Sequence, residues 1–456
     1  MTAISRTKTV GLLCSLLTSL LCPATAQETT PLSLDNAVVE ALANDPWLQS
    51  NRLQQNATES RSIAADALPD PTLTFAMMNL PVDSFSPGQE NMTQAQVGLS
   101  QAFPRGDSRL LNRQKLAIQA AMGPHERANR RAIIEREVTL LWLDAYQAQA
   151  THRLLLRNQS LFEKMREIAQ SMYTSAAGGA LQQDIVRAEL ALMRYDDRIT
   201  VQAQKMDAAL AALGEWLVGY DKDTLRLSGA AIKISTRKLT HTLPTLQANT
   251  SVSLPVLANN TEMLVNYLMM HPTVQAIELA YQASQKDVAL AKQQYKPQWK
   301  VSASYGWRDD TPAGTNRADL ASVGLSVDLP LFSRHRQDHN LDASIYASEA
   351  VKTRKLLTLK SLMAGFQNQV VQLQHISQRQ NLYTDNILEQ ADMQAETAMT
   401  AYTNDNGDFA EVVQAQIDKL EAEITALSIQ VEKQKQLARL NYFLVQSEPV
   451  RSTRRD

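Results

Sequence analysis

Val97-Gly98-Leu99-Ser100 and Val323-Gly324-Leu325-Ser326 are the same four residues, 226 positions apart. The offset persists outward from them. Pro104 pairs with Pro330, Pro71 with Pro297 and Pro46 with Pro272, all at 226 without a gap. A unit of this length exceeds any solenoid repeat, so the chain carries two copies of a whole supersecondary assembly related by pseudo-symmetry. Further on, Tyr173 and Gly178 find Tyr402 and Gly407 at an offset of 229, which a three-residue insertion in the second copy explains.

Each tetrapeptide lies in a stretch of period-2 alternation. Along 93 to 102, Ala95, Val97 and Leu99 alternate with Gln94, Gln96, Gly98 and Ser100. Along 320 to 329, Ala321, Val323, Leu325, Val327 and Leu329 oppose Ser322, Gly324, Ser326 and Asp328. The segments before them behave alike: Leu73, Phe75 and Met77 share a face in 72 to 80, as do Trp299, Val301, Ala303, Tyr305 and Trp307 in 299 to 309. Strands with one apolar face, aromatics at its ends and small polar residues behind it fit a transmembrane β-barrel. A half-buried sheet of a soluble domain is the alternative. Four strands are too few to close a barrel, and an open edge in a bilayer leaves backbone groups unpaired. In a membrane, therefore, several chains share one barrel, and three chains of four strands give twelve, enough to enclose a water-filled lumen.

Glycine and proline number only 15 and 16 in 456 residues, which favours very long helices. Segments 34 to 68 and 260 to 296 read as helices bent at Asp45-Pro46 and His271-Pro272, and the breaker-poor segments 105 to 173 and 332 to 402 each follow a second strand. A helix of that length reaches on the order of 100 Å. Gly123-Pro124 predicts a kink or break within the first of them. After short turns, 181 to 217 and 410 to 446 return as helices, so each copy is helix, β-hairpin, long helix, turn, helix.

Residues 1 to 26 have Arg6 and Lys8, an apolar run from Val10 to Leu21, and Ala24-Thr25-Ala26, the three regions of a cleavable secretory signal. Cys14 and Cys22 are the only cysteines and both lie there, so cleavage leaves no thiol for disulfides, metal or nucleophilic catalysis; lipidation at Cys22 is disfavoured by the bulky Leu21 before it. The remaining 43 basic and 47 acidic residues give a formal charge of −4, with nothing to attract nucleic acid. The expected division is a signal at 1–26, a first repeat at 27–217, a linker at 218–258, a second repeat at 259–446 and a tail at 447–456.

With Leu68-Pro69-Asp70-Pro71, Asn79-Leu80-Pro81-Val82, Gln101-Ala102-Phe103-Pro104-Arg105-Gly106 and Gln182-Gln183-Asp184-Ile185-Val186-Arg187-Ala188, this organisation resembles the TolC family of outer membrane efflux proteins over residues 34 to 446. The Asn-Leu-Pro-Val loop, followed by Met92-Thr93 and the Gln-x-Phe-Pro-Arg stretch, is similar to the branch linked with copper or silver export. The resemblance implies a mainly α chain with a transmembrane β part, in a homotrimer with a twelve-stranded barrel in outer membrane lipid and a periplasmic α-helical barrel. It also implies a periplasmic adaptor and an inner-membrane RND-type pump as partners, for metal cations, for drugs, or for polypeptides in type I secretion. A soluble periplasmic coiled-coil scaffold or adaptor is the rival of another class.

No G-x-S-x-G, H-E-x-x-H or glycine-rich phosphate loop occurs, so no enzyme and no cofactor are expected. The turns 175 to 180 and 404 to 408 are candidate periplasmic tips, with Gly178, Gly179, Asp405 and Asp408 as gate candidates, although Gly, Asn and Asp suit any tight turn. In the resemblance Glu411 and Gln414 fall where acidic residues ring the tunnel entrance. A threefold ring of Glu411 would favour cations; a solvated glutamate is the plain alternative. His335 and His339 share a helical face but sit beside Arg334 and Arg336, a poor place for a cation. Met77, Met78 and Met92 are soft donors, yet Met77 belongs to the apolar face. Arg105 and Arg109, at the strand-to-helix junction, suit interfacial anchoring or local pairing.

Overall fold

Two proline corners fix where each repeat turns upward into its strands. The computed structural model describes residues 31–174, 182–221, 224, 226–227, 237–404 and 407–447. Helix α1 (Leu34–Asn44) stops at Asp45, whose carboxylate accepts the Leu48 N–H at 2.9 Å and caps α2 (Pro46–Ala64). Proline suits the first helical position because its missing N–H would lack an intrahelical partner anyway. Arg130 grips the same carboxylate at 2.7 Å, tying the corner to the core. In the second repeat α5 (Leu254–Asn259) and α6 (Thr261–Met269) lead to His271, whose Nδ1 accepts the Thr273 N–H at 3.2 Å and opens α7 (Pro272–Gln293).

Four strands follow the corners: β1 (Thr72–Met78), β2 (Gln94–Phe103), β3 (Gln298–Trp307) and β4 (Leu320–Asp328). They form one antiparallel sheet in the order β1-β2-β3-β4. The first strand ends two residues before the expected 80, where Asn79 takes a positive φ of 55° and turns the chain. The third likewise ends at Trp307 rather than 309. Register carries the chemistry. Phe75 faces Val97, Val97 faces Tyr305, and Val301 faces Leu325, so the apolar side chains of all four strands share one face. Thr74, Gly98, Ser304 and Ser322 line up on the other. That apolar face is uncovered, with Phe75 74% and Val323 84% exposed. Among the described residues no helix is long and apolar enough to cross a membrane.

Helix α3 (Ser108–Thr174) is 67 residues long and returns as α4 (Gln182–Leu217). Of the kink or break expected at Gly123-Pro124, the break is absent, since α3 continues through Pro124. A proline inside a helix costs roughly 3 kcal/mol in isolation, and tertiary packing offsets that here. A Cβ on Gly123 would meet Gln55 Oε1 at 2.9 Å, and His125 is buried with Nδ1 2.8 Å from Ser447 Oγ. The second long helix departs from a single run. It is α8 (Ser333–Leu382), a π turn over Tyr383–Ile387, and α9 (Leu388–Thr403), before α10 (Phe409–Leu444). The Leu388 N–H reaches the Tyr383 carbonyl, which inserts one extra residue into the turn.

The core is strung along these helices as three clusters. Trp142, Leu143, Ile134 and Val138 of α3 pack on Leu34 and Ala37 of α1, Leu213 of α4 and the bridged pair Leu32 and Leu239. The Trp142 Nε1–H donates to the Leu32 carbonyl at 3.2 Å, so the ring is buried with its polar atom satisfied. A second cluster joins Leu264 and Leu268 of α6 to Phe366 of α8 and Leu440 of α10. The third lies at the far end and is described below. Helices α8 and α10 pack closely at Gly365, where an added Cβ would come 2.7 Å from Phe443 Cζ. Gly365→Val is expected to force these helices apart and destabilise the protein by about 1–3 kcal/mol, read as a lower denaturant midpoint of the helical circular dichroism signal.

Candidate functional site

The helical ends farthest from the sheet form a small packed knot. Phe162 and Met165 of α3, Tyr195 and Ala188 of α4, Tyr402 of α9, and Phe409 and Val412 of α10 are buried together. Phe162 and Tyr195 lie with ring centroids 4.4 Å apart, and Tyr402 and Phe409 with theirs 5.2 Å apart. Burial pushes the Tyr195 phenol up to about 12, so its O–H stays protonated and donates to the Leu155 carbonyl at 2.6 Å. Gly407 has a steric reason. A Cβ there would meet the Tyr402 backbone nitrogen at 2.8 Å as the chain folds back over the end of α9.

Asp408 caps α10, its Oδ1 accepting the Ala410 N–H at 2.9 Å. The same oxygen lies 3.8 Å from Nη1 of Arg187 on α4, which also stands 3.6 Å from the buried Asp184 carboxylate. One guanidinium thus bridges the two hairpins within a single chain. Glu411 is exposed in the first turn of α10, where the helix dipole favours an acid. Gln414 donates to Asp418 Oδ1 at 2.8 Å along the same helix. Gly178, Gly179 and Asp405 lie outside the described residues.

The tip is less acidic than its turns suggest. Arg187, Arg194 and Arg198 stand seven and four residues apart, so they share one side of α4. They line a cleft of about 280 Å³ against α10, floored by Phe162, Tyr195, Val413 and Ile417. Arg198 pairs with Glu421 of α10 at 2.7 Å. The sequence points to the carboxylates as tip residues but gives these arginines no such role, since their partners Glu421 and Asp408 lie more than 200 residues away.

The other candidates separate. His335 and His339 are exposed, and among the described residues no group of three or more His, Cys, Asp or Glu side chains is placed to hold a metal. Strand alternation sends Met77 and Met78 to opposite faces of β1, so they do not form one donor set. Arg105 pairs locally, with Asp328 and with the carbonyls of Gln294 and Lys296 at 3.1 and 2.8 Å. Arg109 donates to the Asp66 carbonyl at 2.9 Å.

Residues 264–444 match the family model described as outer membrane efflux protein. No curated protein matches the chain in sequence. Solved structures match it closely in fold. CusC superposes with a TM-score of 0.72 at 14% identity, over 91% of this chain and 92% of that one. The outer membrane protein VceC from Vibrio cholerae gives 0.71 at 14%, over 91% and 97%. The outer membrane channel CmeC from Campylobacter jejuni gives 0.72 at 12%, over 91% and 87%. The duplicated helix and hairpin architecture is therefore that of the TolC-like channels, with a β part and a long helical part.

Because Asp408 caps α10 as well as facing Arg187, its two roles can be separated. Asp408→Ala removes the cap, worth about 1 kcal/mol, and is expected to speed amide exchange over residues 409–412 about fivefold. Asp408→Asn keeps an accepting oxygen and leaves that exchange near wild type, as measured by hydrogen-exchange mass spectrometry.

Proposed function

We propose that this chain is the outer membrane channel of a tripartite efflux system, a passive exit duct for substrate delivered by an inner-membrane RND-type pump through a periplasmic adaptor. The observation that carries the reading is the sheet: one apolar face continuous across four strands, uncovered, with two unpaired edges and rods of helix leading away from one end. Its location is the outer membrane, with the helices reaching into the periplasm. Three chains supply twelve strands around a lumen faced by Thr, Ser, Gly and Gln, which keeps a water path open. Geometry replaces chemistry here, since a duct needs a wet wall and a gate rather than a reacting group. A soluble scaffold would leave that apolar face in water without compensation.

The gate belongs at the tips 175–180 and 404–408, where tunnel walls of this length must converge to seal the periplasm. In this reading Gly178 and Gly179 form one tight turn, Asp405 and Asp408 the other, and Glu411 with Gln414 borders the entrance. Arg187 relieves the repulsion among the carboxylates by holding Asp408 within its own chain. Metal cations such as copper or silver are the cargo favoured by the Asn79-Leu80-Pro81-Val82 stretch and by the acids at the entrance; multidrug export and type I secretion are the alternatives.

Purified protein in planar bilayers is expected to conduct ions, and a protein that stays soluble and never conducts overturns the channel reading. The Asp405→Ala, Asp408→Ala double variant is expected to conduct more and to be blocked less by divalent cations, whereas wild-type conductance and block place the gate elsewhere. Deleting the gene is expected to raise copper or silver sensitivity. Unchanged metal tolerance with increased dye sensitivity assigns the duct to multidrug export instead.

A further inference from the structure

Among the described residues, the polar face of the sheet carries one lysine with no ion-pair partner. Register puts two charged side chains on that face within the strands, Lys300 of β3 and Asp328 of β4. Asp328 pairs with Arg105. Lys300 is exposed, and no salt bridge among the described residues includes it. Because β3 is an inner strand, with β2 on one side and β4 on the other, the wall around this lysine comes wholly from its own subunit. It faces Ala102 and Ser326 across the strands, and Ser302 follows it on the same face of β3. Acids at the foot of the strands are already engaged, Asp107 with Lys296 at 3.2 Å and Asp66 with Arg113 at 2.7 Å. Asp70, exposed before β1, continues the Lys300 row two strand spacings away, about 10 Å. At that distance it weakens the field of the ammonium without reversing it beside Lys300.

We propose that Lys300 sets the charge preference of the barrel, favouring small anions such as chloride or carboxylates over cations. This inference rests on the channel reading above and adds a specificity-determining residue to it. The 226-residue repeat puts Thr74 at the equivalent place in the first copy, so the charge belongs to the second copy alone. Each subunit then contributes one lysine to the lumen and a trimer contributes three. A ring of basic side chains is a means by which a pore selects anions. Its sign is opposite to that of the acids proposed at the tips. A cation drawn in at the entrance meets repulsion in the barrel, whereas an anion meets attraction there.

The dimensions of the barrel decide when such a ring is felt. Twelve strands about 4.8 Å apart and tilted by about 40° stand about 12 Å from the barrel axis. At about 0.01 M salt the Debye length is about 30 Å, so the whole cross-section lies within the field of the three ammonium groups. At about 1 M it is about 3 Å, and the field shrinks to the wall. The preference is therefore a low-salt property. It is also local, because the acidic tips lie at the far end of the long helices.

A cysteine beside the lysine reads the field directly. Ser302 stands two residues along β3 on the same face, about 7 Å from Lys300, while Val301 belongs to the apolar face. The chain's own cysteines, Cys14 and Cys22, both fall in the N-terminal segment, and wild type supplies their background. Ser302→Cys, in phosphatidylcholine nanodiscs, is treated with a negatively charged and with a positively charged methanethiosulfonate. At about 0.01 M salt the ratio of anionic to cationic reaction rates is expected to be about fivefold higher with Lys300 than with Lys300→Gln, and the difference to close at about 1 M. Lys300→Arg, which keeps the charge, is expected to keep the wild-type ratio. A ratio that does not change on Lys300→Gln overturns the proposal, and so does a fall with Lys300→Arg as large as with Lys300→Gln. Val301→Cys separates this failure from failure of the channel reading. With the barrel in lipid it is expected to stay unmodified while Ser302→Cys reacts, and equal modification of the two faces overturns the shared barrel and the proposal with it.

Discussion

A strand edge inside a bilayer has no water to satisfy its N–H and C=O groups, and each unsatisfied group costs several kcal/mol. That constraint explains most of the molecule. Four strands in the order β1-β2-β3-β4 satisfy their inner backbone groups and leave the outer edges of β1 and β4 without a partner strand among the described residues, and on the channel reading proposed above further copies of the chain complete the surface. With a period of two, every strand residue must commit to one face of the sheet, and the observed register sorts Phe75, Val97, Tyr305 and Val323 to one face and Thr74, Gly98, Ser304 and Ser322 to the other.

Helices as long as α3 cannot gather around one core, so they are stabilised in sections. Two clusters join a long helix to short ones, α1 and the Leu32–Leu239 bridge around Trp142 and α6 around Phe366, and the third joins the ends of the helical hairpins around Tyr195 and Phe409. Between them the contacts are polar. Asp45 with Arg130 fixes the first corner, and His271 with Thr273 and the Tyr442 carbonyl fixes the second. Burial holds the His271 imidazole below its usual range, so it stays neutral and its Nδ1 remains an acceptor for the cap. This sectional packing is also why Pro124 is tolerated, since flanking contacts of Gly123 with α2 and of His125 with Ser447 hold the helix in place.

At the far end, the residues proposed to form the gate are also those that ordinary turn chemistry requires. Gly407 is needed because backbone crowds its Cβ position, and Asp408 because α10 needs a cap, so both would stand there in any tight helical hairpin. Arg187 goes beyond that requirement. It lies on the other hairpin and joins Asp184 to Asp408, which gives the tip an internal link between its two halves. A cleft lined by three arginines beside an acidic first turn makes the potential at this end mixed rather than uniformly negative.

The sequence alone determined the duplication, the four strands and their apolar and polar faces, the two proline corners and the long helices, because each follows from local periodicity or from residues with restricted backbones. Val97-Gly98-Leu99-Ser100 and its copy carried both the repeat and the strand period in four residues. The family resemblance added an architecture that the fold comparison supports. Other features were settled only by tertiary structure. Gly123-Pro124 predicted a kink or break, and α3 runs unbroken through it because local propensity is blind to the packing that offsets the proline, while the π turn at Tyr383–Ile387 has no punctuating residue to announce it. The arginines of α4 became part of the tip only when folding brought residue 187 to residue 408, since charge partners distant in sequence leave no periodic trace. Local geometry is written in neighbouring residues, whereas the balance of packing and charge across the hairpins is a property of distances that only the folded chain possesses.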